Sequence, residues 1–116
     1  MKSKLILMLL GLLSLFFGSW AGAEAFKDTA QPISTMALMG MMGYLFHALV
    51  IFMSLTFPAG IRRKLTLLIL AWHIPETILI AIFGMGIPED TQLSGIVIHS
   101  TFSGLALLSW YLDKKE

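Results

Sequence analysis

Residues 65–87 read LTLLILAWHIPETILIAIFGMGI, 23 residues with a single charged side chain, Glu76, set between Arg62-Arg63-Lys64 and Pro88-Glu89-Asp90. As a helix this run rises about 34 Å at about 1.5 Å per residue, enough to cross the roughly 30 Å hydrocarbon layer of a bilayer. Three more runs have the same character: Leu5 to Ala23, Ser34 to Phe57 and Gln92 to Leu112. The chain has eight basic and seven acidic residues, yet Glu76 is the one charge inside the four runs. The expected fold is therefore all-α, an integral membrane four-helix bundle in which residues 1–116 form a single transmembrane domain.

Composition agrees. Hydrophobic residues make up 57% of the chain and charged ones 13%, against about a quarter charged in soluble domains. So little chain lies outside the spans that no soluble catalytic domain or nucleotide-binding fold fits. A net charge of +1 offers no basic surface, so nucleic acid is excluded as a partner. Without cysteine there is no disulfide, thiolate metal ligand or cysteine nucleophile.

Lys2, Lys4, Arg62, Arg63, Lys64, Lys114 and Lys115 fall on one side if the chain crosses four times, and only Lys27 falls on the other. The positive-inside rule then makes both termini and the 58–64 loop cytoplasmic in an up-down bundle. Chain size and N-terminal style suit a multi-pass protein of the bacterial inner membrane. Residues 1–25 also have the form of a cleaved signal peptide: basic Met1 to Lys4, apolar Leu5 to Phe17, then Ala21-Gly-Ala-Glu-Ala25. Trp20 as an interfacial anchor and the small-residue pair Gly18 and Gly22 argue instead for a packed helix.

Pro32 and Ser34 mark the start of the second span, Pro58-Ala-Gly60 its end, and Gly86-Ile-Pro88 the last turn, with Asp90 or Thr91 as N-cap. Short connections make spans two, three and four a compact bundle to which the first helix is added. Trp110 and Tyr111 fall at the cytoplasmic interface.

His47, His73 and His99 lie at similar depth on successive helices, with Glu76 one turn from His73. Ionisable groups near the bilayer centre are costly and face the bundle interior, where they find partners. His73, Glu76 and Thr77 share one helical face, as do His99 and Ser103, and Gly40, Gly43, Tyr44 and His47. Pro75 lacks an N–H and is expected to kink its helix, freeing the carbonyl of Ala71. Three imidazoles and a carboxylate suit Zn, Cu or Fe, a proton relay, or an acid/base pair on a lipid or quinone with Trp72 offering a π face. The single carboxylate argues against di-iron, and no haem attachment motif is present. No nucleophile or oxyanion pattern names a reaction and no cofactor is assigned.

Met36, Met39 and Met42 recur every three residues on the His47 helix and read as adaptable packing ahead of a Cu(I) path. The small residues Gly18, Gly22, Gly40, Gly43, Ser100 and Gly104 read as close helix contacts, then as an oligomer interface. The functional expectation is a polar site of His47, His73, Glu76 and His99 that binds a small ligand, metal or proton near the midplane. The alternative is a structural or accessory subunit, docked in a homo-oligomer or larger membrane complex.

Overall fold

The computed structural model describes residues 1–27, 35–84 and 89–115, less the side chains at 35–37, 90, 91 and 115. These residues form four helices and no strand: α1 (Lys2–Ala25), α2 (Thr35–Ser54), α3 (Ala59–Phe83) and α4 (Glu89–Lys115). Within α1, α3 and α4 lie segments long and apolar enough to cross a membrane, Lys2–Ala25, Ala59–Phe83 and Gln92–Lys114. The apolar part of α2, Leu38–Ser54, is shorter. The outer faces remain apolar, with Phe16, Phe46, Leu68, Ile82 and Leu93 all exposed.

Helix ends differ from expectation in three places. Arg62, Arg63 and Lys64, expected in a loop, lie in the first turns of α3. Pro58 starts that helix with φ −56° and ψ 152°, and its carbonyl accepts the amides of Ile61 and Arg62 at 3.1 and 3.0 Å. Proline has no N–H to forfeit there and its fixed φ suits a helix start. α2 stops at Ser54, short of Phe57, and residues 55–57 turn back with amides bonded to the carbonyls three residues earlier. α4 is already helical at Glu89, which puts Asp90 and Thr91 inside its first turn and not at its cap. Pro32, Ser34 and Gly86-Ile87-Pro88 lie outside the described residues. Gly84 closes α3 in the left-handed region at φ 68°, a conformation glycine takes without a Cβ clash.

The helices pack as antiparallel pairs. Along α1, Gly11 faces Ile51 and Phe52, Gly18 faces Leu45, and Gly22 faces Met41 of α2. A Cβ on Gly18 would sit 3.1 Å from the backbone nitrogen of Leu45 and 2.9 Å from its side chain, so this approach depends on glycine. α3 pairs with α4 through Arg62 with Asp113 and His73 with His99. α1 meets α4 through Ser3 with Asp113 and Phe17 with Phe102.

The pair α2 and α3 touches least among these neighbours, which corrects the expected compact grouping of spans two, three and four. The first helix is no addition: Leu7 and Leu10 lie fully buried in the core with Ile51, Ile69, Leu70, Phe102 and Ala106. The order across the molecule is α2, α1, α4, α3. Four helices in a flat row at about 9 Å spacing would have Cα atoms spread over about 32 Å and be only about 5 Å thick. The extents of 50 × 28 × 16 Å fit such a row curled so that α2 and α3 approach across one seam.

A buried ion cluster ties one end. The Nε of Arg62 donates to both Asp113 oxygens at 3.1 and 2.8 Å, and Nη2 donates to Oδ1. Nη1 donates to the Phe57 carbonyl at 2.9 Å. The Ser3 hydroxyl donates to Asp113 at 2.6 Å, and Ser109 donates to the Ser3 carbonyl at 3.2 Å. Three helices and the α2–α3 turn thus share one charge-assisted network.

Two outcomes in detergent melts follow. Gly18→Val will lower the melting temperature while Gly104→Ala, with open space around its Cβ, stays within about 0.5 kcal/mol. Asp113→Ala will cost about 3–5 kcal/mol by removing the carboxylate that accepts from Nε and Nη2 of buried Arg62, and the paired change Arg62→Met with Asp113→Leu will cost clearly less.

Candidate metal centre

The curled row brings α2, α3 and α4 together at a polar site about 16 Å along α3 from Arg62, as eleven residues at about 1.5 Å each require. His73 points inward because it continues the stripe Arg62, Thr66, Ile69 and Leu70, all buried. His99 shares the inward face of α4 with Phe102, Ala106 and Ser109. The Nδ1 atoms of His73 and His99 are 3.1 Å apart, a hydrogen bond in which one ring donates and the other accepts. The Glu76 Oε2 lies 3.1 Å from the His99 Nδ1 and 3.6 Å from the His73 Nδ1.

Three ligand atoms therefore converge from two helices. Glu76 Oε2 and His73 Nε2 are buried and without a hydrogen-bond partner, although buried polar atoms are nearly always paired. Glu76 keeps 28% of its side chain exposed, the least enclosed of the three.

The surroundings hold the rings in place. Phe102, 1% exposed, lies 5.0 Å from the His73 ring and 5.6 Å from Tyr44, centroid to centroid. Tyr44 stacks on His99 at 6.0 Å and 15°, its hydroxyl 3.4 Å from the His99 Nε2. The hydroxyls of Thr77 and Ser103 donate to the carbonyls of His73 and His99 at 2.7 and 2.9 Å. That uses a polar side chain one turn on to bond the backbone beneath each site histidine. Between this site and the Arg62 cluster lies the packed layer of Leu7, Leu10, Ile51, Ile69, Leu70 and Ala106.

Of the four residues singled out from sequence, the structure brings His73, Glu76 and His99 into one ligand-sized group. His47 stands beside it, its ring centroid 4.9 Å from that of His73, outside the set of converging atoms. Its Nδ1 donates to the Gly43 carbonyl at 2.7 Å, and the exposed Trp72 packs edge-on against it at 5.5 Å.

Pro75 does not break its helix: α3 runs through it from Ala59 to Phe83. Met39 and Met42 face outward, so the spacing that lined them up with His47 does not make them a thioether path to it. Phe102, central to the site, was not visible as a site residue, because an apolar ring in an apolar span carries no distinguishing pattern.

Comparison of the chain with protein-family models, with curated proteins and with solved structures found no match.

Phe102→Ala will cost about 3–5 kcal/mol in a detergent melt, as expected for a fully enclosed ring. It will also loosen His73, Tyr44 and Phe17, all of which pack on that ring, seen as broadened imidazole signals in NMR spectra.

Proposed function

We propose that this chain is a small integral membrane protein, with its Arg62 and Asp113 end cytoplasmic, whose mid-membrane site binds a divalent transition-metal ion through His73, Glu76 and His99. The observation that carries the reading is the triangle of ligand atoms. Sides of 3.1, 3.1 and 3.6 Å put a point about 1.9 Å from all three atoms, and lifting it about 0.8 Å out of their plane gives the roughly 2.0–2.1 Å bonds of zinc to nitrogen and oxygen.

One ion would satisfy at once the Glu76 oxygen, which takes no hydrogen bond, and the two Nδ1 atoms that otherwise share a proton. Two imidazoles and a carboxylate suit Zn, Fe, Ni or Cu(II) better than Mg or Ca, which prefer all-oxygen sites. The apolar exterior and the three long apolar helices support a bilayer setting, and the clustering of Lys and Arg supports the orientation. The packed layer between the site and the Arg62 cluster favours holding the ion over conducting it to that end.

A second reading, an accessory subunit, is favoured by Gly40, Gly43 and Gly104. An added Cβ at any of them meets nothing within 4 Å, so these small positions serve no close contact among the described residues. A docked partner helix would use them.

Protein extracted in mild detergent is expected to carry about one equivalent of a transition metal by elemental analysis, as one converging ligand set implies. Glu76→Gln and His73→Ala will each lose it while the helical circular dichroism stays. Affinity will fall as the pH is lowered, because protons compete for the same nitrogens and oxygen. Metal-free native protein that also fails to bind added zinc or cobalt would refute the reading.

A further inference from the structure

The three-atom triangle leaves the fourth direction of a tetrahedron open, and His47 is the neighbouring group with the right chemistry. Its Nδ1–H is committed to the Gly43 carbonyl at 2.7 Å, since a carbonyl can only accept. In the neutral ring the lone pair is therefore on Nε2. A ring nitrogen anchored on a backbone carbonyl while the other binds a metal is the usual arrangement of ligating histidines. The His47 ring stands 4.9 Å from the His73 ring and packs edge-on with Trp72 at 5.5 Å.

His47 also belongs to α2, whereas the three converging ligands belong to α3 and α4. α2 and α3 are the neighbours in least contact, so a small approach of α2 displaces little packing. We infer that His47, held next to the His73, Glu76 and His99 triangle, supplies the fourth ligand of a four-coordinate divalent metal ion, which thereby clamps α2 to α3 and closes the curled row of helices. The inference rests on the metal reading above and adds the coordination number, the ligand class and the mechanical result. A four-coordinate N3O site favours Zn(II) or Co(II) over an open two-histidine, one-carboxylate iron site.

The test uses the full chain in lipid nanodiscs, with Co(II) as the probe because its visible bands are intense when tetrahedral and weak at higher coordination. Wild type is expected to give intense bands with one equivalent bound. His47→Phe keeps a ring against Trp72 and His73 but has no nitrogen, and is expected to give weak bands. Its affinity should fall at least about 10- to 100-fold, the loss that removal of a mere supporting partner already causes. In a Trp20→Phe, Trp110→Phe background, Co(II) is expected to quench Trp72 emission in the wild-type site. Amide exchange of α2 is expected to slow on loading only when His47 is present.

Failure of the wild-type chain to bind Co(II) would overturn the metal reading and the clamp together. Intense bands and unchanged affinity in His47→Phe would overturn the fourth ligand alone and leave a three-residue site. A matching circular dichroism melt for metal-free wild type and His47→Phe establishes that the comparison is between folded proteins. If His47→Phe does not fold, His47→Gln replaces it, with the same spectrum and affinity deciding.

Discussion

A polar side chain buried among apolar helices needs a partner, and here the long-range partners lie on another helix, as Arg62 with Asp113 and His73 with His99, while Thr77 and Ser103 bond carbonyls of their own helix. Cross-helix polar bonds specify the arrangement more firmly than apolar contact does, because each needs its partner at one place. Two polar clusters result, one at mid-height and one at the Arg62 end, with the buried layer of Leu7, Leu10, Ile51, Ile69 and Leu70 between them. The Arg62 cluster satisfies its charges internally through Asp113, Ser3 and Phe57. In the mid-height cluster Glu76 Oε2 stands beside the Nδ1 atoms of His99 and His73 at 3.1 and 3.6 Å, and His73 Nε2 has no hydrogen-bond partner. The two clusters thus differ in how completely their polar atoms are matched within the chain.

The four helices, and the depth and helix of the site residues, were legible in the sequence for a simple reason. Charges are scarce in this chain, so an ionisable residue inside an apolar run stands out, and helical rise converts position into depth. His73, Glu76 and His99 could be placed at one level in that way. What could not be read was which seam closes on them, because the order of helices across the row depends on side-chain fit. Gly18 and Gly22 show the limit: their spacing announced a close contact, and the contact exists with α2. Gly40, Gly43 and Gly104 carried the same announcement, yet an added Cβ at any of them would meet nothing within 4 Å among the described residues. A glycine permits approach without specifying by what.

The Arg62 cluster was missed for a related reason. Basic residues flanking apolar runs act as orientation signals, which makes it natural to treat Arg62 as solvated and Asp113 as the end of a span. Yet Asp113 directly follows the last apolar run, on the same helical face as Ser109, Ala106 and Phe102, and that periodicity was the available signal. Arg62 continues the stripe of Thr66, Ile69 and His73 in the same way. Extending the buried faces one turn past the hydrophobic limits would have joined the two residues.

The bond between Ser3 and Asp113 spans 110 positions of the chain. Ser3 lies in the first turn of α1 and Asp113 in the last turn of α4, so the network that fixes the end of the first helix cannot form until the last one is in place. During synthesis α1 and α2 can associate early through Gly11, Gly18 and Gly22, while Arg62 waits in α3 with its carboxylate not yet made. Assembly therefore has a built-in order: a local helical hairpin first, then a long-range closure that carries the greatest loop entropy and completes the charge balance only at the end. A chain stopped before Asp113 would lack the carboxylate that accepts from Nε and Nη2 of Arg62, so the last turn of α4 completes a contact begun in the first turns of α3.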